Sequence, residues 1–190
     1  GVGSADDIET TVASVDIDNS GAGGIQLDET DAITVVQLDN DVSGVISLVA
    51  DGAITVDSAG QGVIAADGAV TLQADNDASI VVNGVVQTDG DDPLAGDSAI
   101  IDGGSGTITL TADEDITIGG LTTTGNTAGV SEISITSGNG AVVDGGDSAV
   151  DIDANTGADS TVVISASTGI GSDSNDIDMT VEQLAATTAA

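Results

Sequence analysis

Carboxylates and hydroxyls are the only reactive groups this chain carries in number. Thirty-three Asp and Glu residues stand against no Lys, Arg, His or Cys, for a formal charge of -33. The acids gather in Asp89-Gly-Asp-Asp-Pro-Leu-Ala-Gly-Asp97, Asp151-Ile-Asp-Ala-Asn155, Asp113-Glu-Asp115, Asp75-Asn-Asp77 and Asp173-Ser-Asn-Asp176. Hard cations such as Ca²⁺ take ~6–8 oxygen ligands, which such loops supply with help from backbone carbonyls and water. Asp89, Asp91, Asp92 and Asp97, with Asp151, Asp153 and Asn155, are the candidate ligands for Ca²⁺ or another cation. Neither loop is an EF-hand: after Asp151-x-Asp-x-Asn the sixth position is Thr156 and the twelfth is Val162. The competing reading is that Asp and Asn are simply corner residues, chosen because their side chains cap local turns.

Paired carboxylates also hydrolyse glycosides, so a β-helix polysaccharide hydrolase is a remote alternative. Sugar sites normally add aromatic platforms, and Phe, Tyr and Trp are absent. Thiol, imidazole and amine chemistry is unavailable, which removes Ser-His and cysteine catalysis, Schiff bases and the usual zinc sites. The expectation is a protein that is not an enzyme and requires no cofactor. Without a cationic side chain it cannot neutralise phosphates, so nucleic acid and anionic membranes are not expected partners.

The elements that position these acids are short strands. Apolar residues alternate with Thr, Ser or Asp at Ile54 and Val56, at Val70, Leu72 and Ala74, and at Ile108, Leu110 and Ala112. The same pattern returns at Ile116 and Ile118, Ile133 and Ile135, Val150 and Ile152, and Val162, Ile164 and Ala166. Period-two runs of this kind read as strands with one buried face. Between them lie corners such as Asp39-Asn-Asp41, Asp102-Gly-Gly104 and Gly138-Asn-Gly140, whose residues tolerate left-handed backbone. Val181 to Ala186 is the one stretch with room for a helical turn, and its Val and Thr neighbours favour extension.

Hydrophobic residues make up 39% of the chain, all aliphatic. A sandwich must fill a gap of ~10 Å and usually recruits aromatics, whereas a solenoid stacks Ile, Val and Leu at ~4.8 Å per coil. The expected fold is therefore all-β: a parallel β-helix of roughly eight to ten short coils, with no cap at either end and residues 1–190 forming one segment. Carboxylates stacked on adjacent coils would sit ~5 Å apart, inside a Debye length of ~8 Å, each hydrated pair costing about 1 kcal/mol. Cation association is the expected relief.

The two ends of the chain echo each other. Gly1-Val-Gly-Ser4, Ile8, Val12 and Val15 match Gly169-Ile-Gly-Ser172, Ile177, Val181 and Leu184, with one residue inserted in the second copy. Residues 1–168 thus read as one tandem unit, with 169–190 the start of the next. A solenoid stopping inside a coil leaves backbone groups unpaired, so further chain is expected beyond it.

Gly169-Ile-Gly-Ser with Ile177 and Val181-Glu-Gln-Leu-Ala-Ala-Thr187, preceded by Val162-Val-Ile-Ser-Ala-Ser-Thr-Gly169, resembles the recurring unit of filamentous-haemagglutinin-like bacterial surface proteins. Ile108 to Gly120 is similar to their strand repeats. The resemblance implies a right-handed parallel β-helix in a long, secreted, extracellular adhesin or surface filament that associates with itself end to end. Two features depart from it: the absence of Lys, Arg and aromatics, and no visible amino-terminal secretion domain. The runner-up is a tandem of Ca²⁺-clamped immunoglobulin-like or cadherin-like sandwiches, although these recur near ~100 residues.

Overall fold

A computed structural model describes residues 1–3, 6–57, 62–66, 68–83, 101–102, 106–123, 131–146, 150–154 and 160–189. Strands are the only regular structure among them, and every strand pairing is parallel. The first turn of the coil holds β1 (Ile8–Thr10) and β2 (Ser14–Asn19), and the second holds β3 (Ile25–Glu29) and β4 (Ile33–Asn40). Five turns of three strands follow. They are β5 (Ile46–Ala50), β6 (Ile54–Val56) and β7 (Gly62–Ala65); β8 (Val70–Ala74), β9 (Ile80–Val82) and β10 (Ile101–Asp102); then β11 (Ile108–Ala112), β12 (Ile116–Ile118) and β13 (Leu121–Thr122). The last two are β14 (Ser131–Ser137), β15 (Ala141–Asp144) and β16 (Ile152–Asp153), then β17 (Thr161–Ala166), β18 (Gly169–Ile170) and β19 (Met179–Thr180). One more strand, β20 (Gln183–Thr188), starts the next turn.

Stacking these turns makes a β-solenoid. One wall is an eight-stranded sheet in the order β1-β3-β5-β8-β11-β14-β17-β20. The other walls separate at β4. Its Ile33–Val35 half pairs with β6 and its Gln37–Asn40 half with β7, so one continuous strand in the early turns becomes two strands afterwards. Val36 marks the break, opposite the register shift between Val15 and Asp16 of β2.

Register aligns like with like through the core. Ile25, Ile46, Val70, Ile108, Ile133 and Val162 stack in one column, and Leu27, Leu48, Leu72, Leu110, Ile135 and Ile164 in the next. A third column, Leu38-Val63-Ile101-Leu121-Ile152-Met179, fills the far wall. Nearly all of these side chains are fully buried. At ~1.5–3 kcal/mol for each buried Val, Ile or Leu, the columns supply most of the driving force. The sandwich alternative is excluded here, because such domains are built from antiparallel sheets.

The first column also measures the turns, which span 21, 24, 38, 25 and 29 residues between successive members. They exceed the ~20 residues of a minimal coil by unequal amounts, yet the described strands stay in register. Left-handed backbone falls elsewhere than at the corners read from sequence: Asp39 and Asn40 belong to β4 and Gly138, Asn139 and Gly140 have no positive φ, whereas Asn76 and Asp77 both have φ 59 at the corner between β8 and β9. Val150 is a different outcome. It lies outside β16 and is 46% exposed, while Ile152 alone turns inward.

One corner is made of backbone contact. Gly23, Gly44, Gly68 and Gly106 each lie two residues before a strand of the eight-stranded sheet, so they stack on one another. A Cβ on Gly44 would sit 2.6 Å from the Gly23 carbonyl carbon, and one on Gly68 2.6 Å from that of Gly44. Real Cβ atoms do not approach backbone so closely, so only glycine lets the turns close there.

Candidate functional site

Most described acids occupy corners, and several tie one turn to the next. Asp51, Asp75 and Asp113 follow β5, β8 and β11, and their N–H groups donate to Glu29, Ala50 and Ala74 of the preceding turns at 2.9, 2.9 and 3.2 Å. The corner side chains differ in reach, some bonding within a turn and others across to the next. Asp75 accepts both contacts of the Gln73 amide at 3.0 Å, Asp113 accepts the Asp77 N–H at 3.1 Å, and Asp115 accepts the Ala141 N–H at 2.7 Å. These carboxylates act as corner caps that replace absent backbone partners.

Two positions carry unusual electrostatics. Glu29 is fully buried, yet its carboxylate accepts the Thr10 hydroxyl at 2.6 Å, the Val12 N–H at 3.0 Å and the Thr30 N–H at 3.1 Å. Burial works to raise its pKa, but the bonds from Thr10, Val12 and Asp31 outweigh it and hold the group below the ordinary value. Asp39 goes the other way. Burial, followed by the neighbouring Asp41 and Asp18 carboxylates, raises it above the ordinary value, and the Gln37 amide at 3.4 Å compensates only in part. Its Oδ1 is buried without a hydrogen-bond partner. Asp18 and Asp39 are register partners, as are Asn19 and Asn40 beside them. The asparagines form a ladder: Asn19 donates to Asn40 Oδ1 at 2.8 Å and to Gly23 O at 2.7 Å, and Asn40 donates to Gly44 O at 3.0 Å.

Of the acids read from sequence as cation ligands, Asp89, Asp91, Asp92, Asp97 and Asn155 lie outside the described residues. Asp151 and Asp153 flank the inward Ile152. Asp151 is buried, and its Oδ2 accepts the Asp178 N–H at 2.7 Å while its backbone bonds Leu121 on one side and Asp178 on the other. It staples three turns together. Asp153 faces outward in register with Thr122 and Thr180. Among the described residues, no group of three or more acids is placed to hold a metal.

Beyond β19 only the eight-stranded sheet continues, so the ladder residues Ile170 and Met179 line an open hollow of about 370 Å³ with Ile177, Asp173 and Asp176. This end also holds the second copy of the repeated sequence, and one glycine turn and one strand of it match the first. Gly3 and Gly171 share φ 70, and their built Cβ atoms approach equivalent groups, Asp6 O and Ile8 N in one copy, Asn175 O and Ile177 N in the other. The six residues of β2 correspond one for one to those of β20, with Val15 and Ile17 opposite buried residues just as Leu184 and Ala186 are. The walls differ: β2 pairs with β4 in the second sheet, β20 with β17 in the eight-stranded one.

No protein-family model, curated protein or solved structure matches this chain.

Proposed function

We propose that this chain is a structural segment of a secreted extracellular filament or giant surface adhesin, a right-handed rod of some eight to ten coils that joins further units of the same sequence end to end. The reading is not enzymatic: most described carboxylates cap corners or face outward, the buried Glu29 and Asp151 accept backbone N–H groups, and the register partners Asp18 and Asp39 lie side by side on a sheet. The observation that carries the proposal is the repeated local fold at the two ends, set on a solenoid whose strands can accept another turn at β20. A solenoid unit contacts only its neighbours, so units stacked in tandem extend one continuous core. The filamentous-haemagglutinin-like resemblance of Gly169 to Thr187 points the same way. Cations are the partners expected at the acidic corners, as diffuse counter-ions for stacked Asp51, Asp75 and Asp113.

The test is a two-unit chain, residues 1–190 followed by 22–168, measured by small-angle scattering and electron microscopy. Continuous stacking gives a single rod nearly twice as long. Two beads on a string, or a compact globule, would overturn the proposal.

A further inference from the structure

The described acids avoid one surface almost completely. The outward residues of the five central strands of the eight-stranded sheet are Ser47 and Val49, Thr71 and Gln73, Thr109 and Thr111, Ser134 and Thr136, and Val163 and Ser165. None is charged. The single acid within these strands is Glu132, at the register shift of β14 on the margin of the array. Elsewhere outward strand positions do carry acid: Asp28 on β3, Asp18 and Asp39 on the second sheet, Asp153 on β16. Soluble sheets ordinarily protect a flat exposed surface with charge, and this chain has carboxylates in abundance, yet none stands at these ten positions.

We infer that this face is a lateral contact surface and that its occupant is the same face of a second copy of the chain. Charge selects the partner. Two molecules of net charge -33 repel over any pair of acidic surfaces, and a basic partner would be drawn to the stacked corners beside the face instead of to the face itself. A neutral surface of small β-formers, related to its twin by a two-fold axis, removes the repulsion from the contact and lets Ser, Thr and Val interdigitate between sheets. The acidic corners then fall at the margins, where counter-ions reach them. Five strands at ~4.8 Å and five residues at ~3.3 Å make a face of ~400 Å², or ~800 Å² per pair. That is under the ~1,200 Å² of a stable standard interface, so one segment pairs weakly and successive units in a fibre strengthen the contact by avidity. The pairing itself stands on the single segment, and only its strengthening along a fibre rests on the end-to-end reading.

Sedimentation equilibrium of the 190-residue chain, followed by refractive index, tests it. At ~1 M salt, where the Debye length is ~3 Å, reversible dimers are expected at high concentration, and fewer at low salt. Thr109→Asp with Thr111→Asp weakens dimerisation roughly tenfold or more, whereas Thr122→Asp with Thr180→Asp, which adds the same charge on the far wall beside Asp153, leaves it unchanged. If circular dichroism shows the first pair unfolded, Ser134→Glu with Ser165→Glu makes the same measurement on neighbouring turns. A chain that stays monomeric at every concentration, dimers indifferent to the acids on this face, or retention on an insoluble neutral polysaccharide without self-association would each overturn the inference.

Discussion

A methyl group added at Gly68 would lie 2.6 Å from the Gly44 carbonyl carbon and closer still to its oxygen. Carbon atoms rest at about 3.5 Å, so the third and fourth turns must part by at least ~0.9 Å at this corner, and the carbonyl oxygen demands more. The bond from Ile46 N to Ala69 O, 2.9 Å long, crosses the same gap and would stretch past hydrogen-bonding range. Its loss costs about 1 kcal/mol and the overpacking about 1–3 kcal/mol, against ~0.4–1 kcal/mol returned by the stiffer unfolded chain. Gly68→Ala should therefore destabilise by about 2–3 kcal/mol. Gly169→Ala is the control, since nothing lies within 4 Å of its built Cβ. With no Trp or Tyr to report by fluorescence, urea unfolding is followed by far-ultraviolet circular dichroism. Equal midpoints for the two variants would refute the idea that this corner is closed by glycine contact.

Other perturbations probe the charges and ladders. Glu29→Gln should cost about 1–3 kcal/mol by weakening bonds to a buried anion, and because the Glu29 pKa is lowered from 4.5, the wild-type advantage should vanish as pH falls through that lowered value. Asp39→Asn should stabilise near neutral pH by up to about 1 kcal/mol after solvent screening. Here the folded pKa is raised above 3.8, so the wild type should recover the difference as pH drops through the raised value, which a pair of melting-versus-pH curves would show. Asn40→Ala removes two ladder bonds from a fully buried site and should cost about 2 kcal/mol by urea titration. Moderate salt should raise the melting temperature of the wild type by screening Asp51, Asp75 and Asp113; a flat salt series would mean these carboxylates do not repel.

Much of the fold is visible in the sequence because strand burial has a period of two whatever the loop lengths. Val70, Leu72 and Ala74, or Ile108, Leu110 and Ala112, announce their inward face without knowledge of their neighbours. What register adds is hidden for the converse reason. Gly23, Gly44, Gly68 and Gly106 are 21, 24 and 38 residues apart, so no fixed period betrays that they touch. The uncharged face is equally invisible until Thr71 is known to sit between Ser47 and Thr109. Among the candidate ligands, Asp151 carries a structural role that its sequence neighbours do not reveal: its carboxylate accepts the Asp178 N–H from the next turn. Glu29 offered no signal at all, since its partners Thr10 and Val12 belong to the previous turn.

The parallel stacking of turns has a mechanical meaning. Its hydrogen bonds run along the axis, so tension on the rod loads them directly, one turn boundary at a time. Between β5 and β8 a turn of 24 residues occupies ~4.8 Å of length while folded, yet spans ~80 Å once pulled straight. Each turn that yields under load would lengthen the thread by more than tenfold at that point, and each turn that recoils would reclaim it.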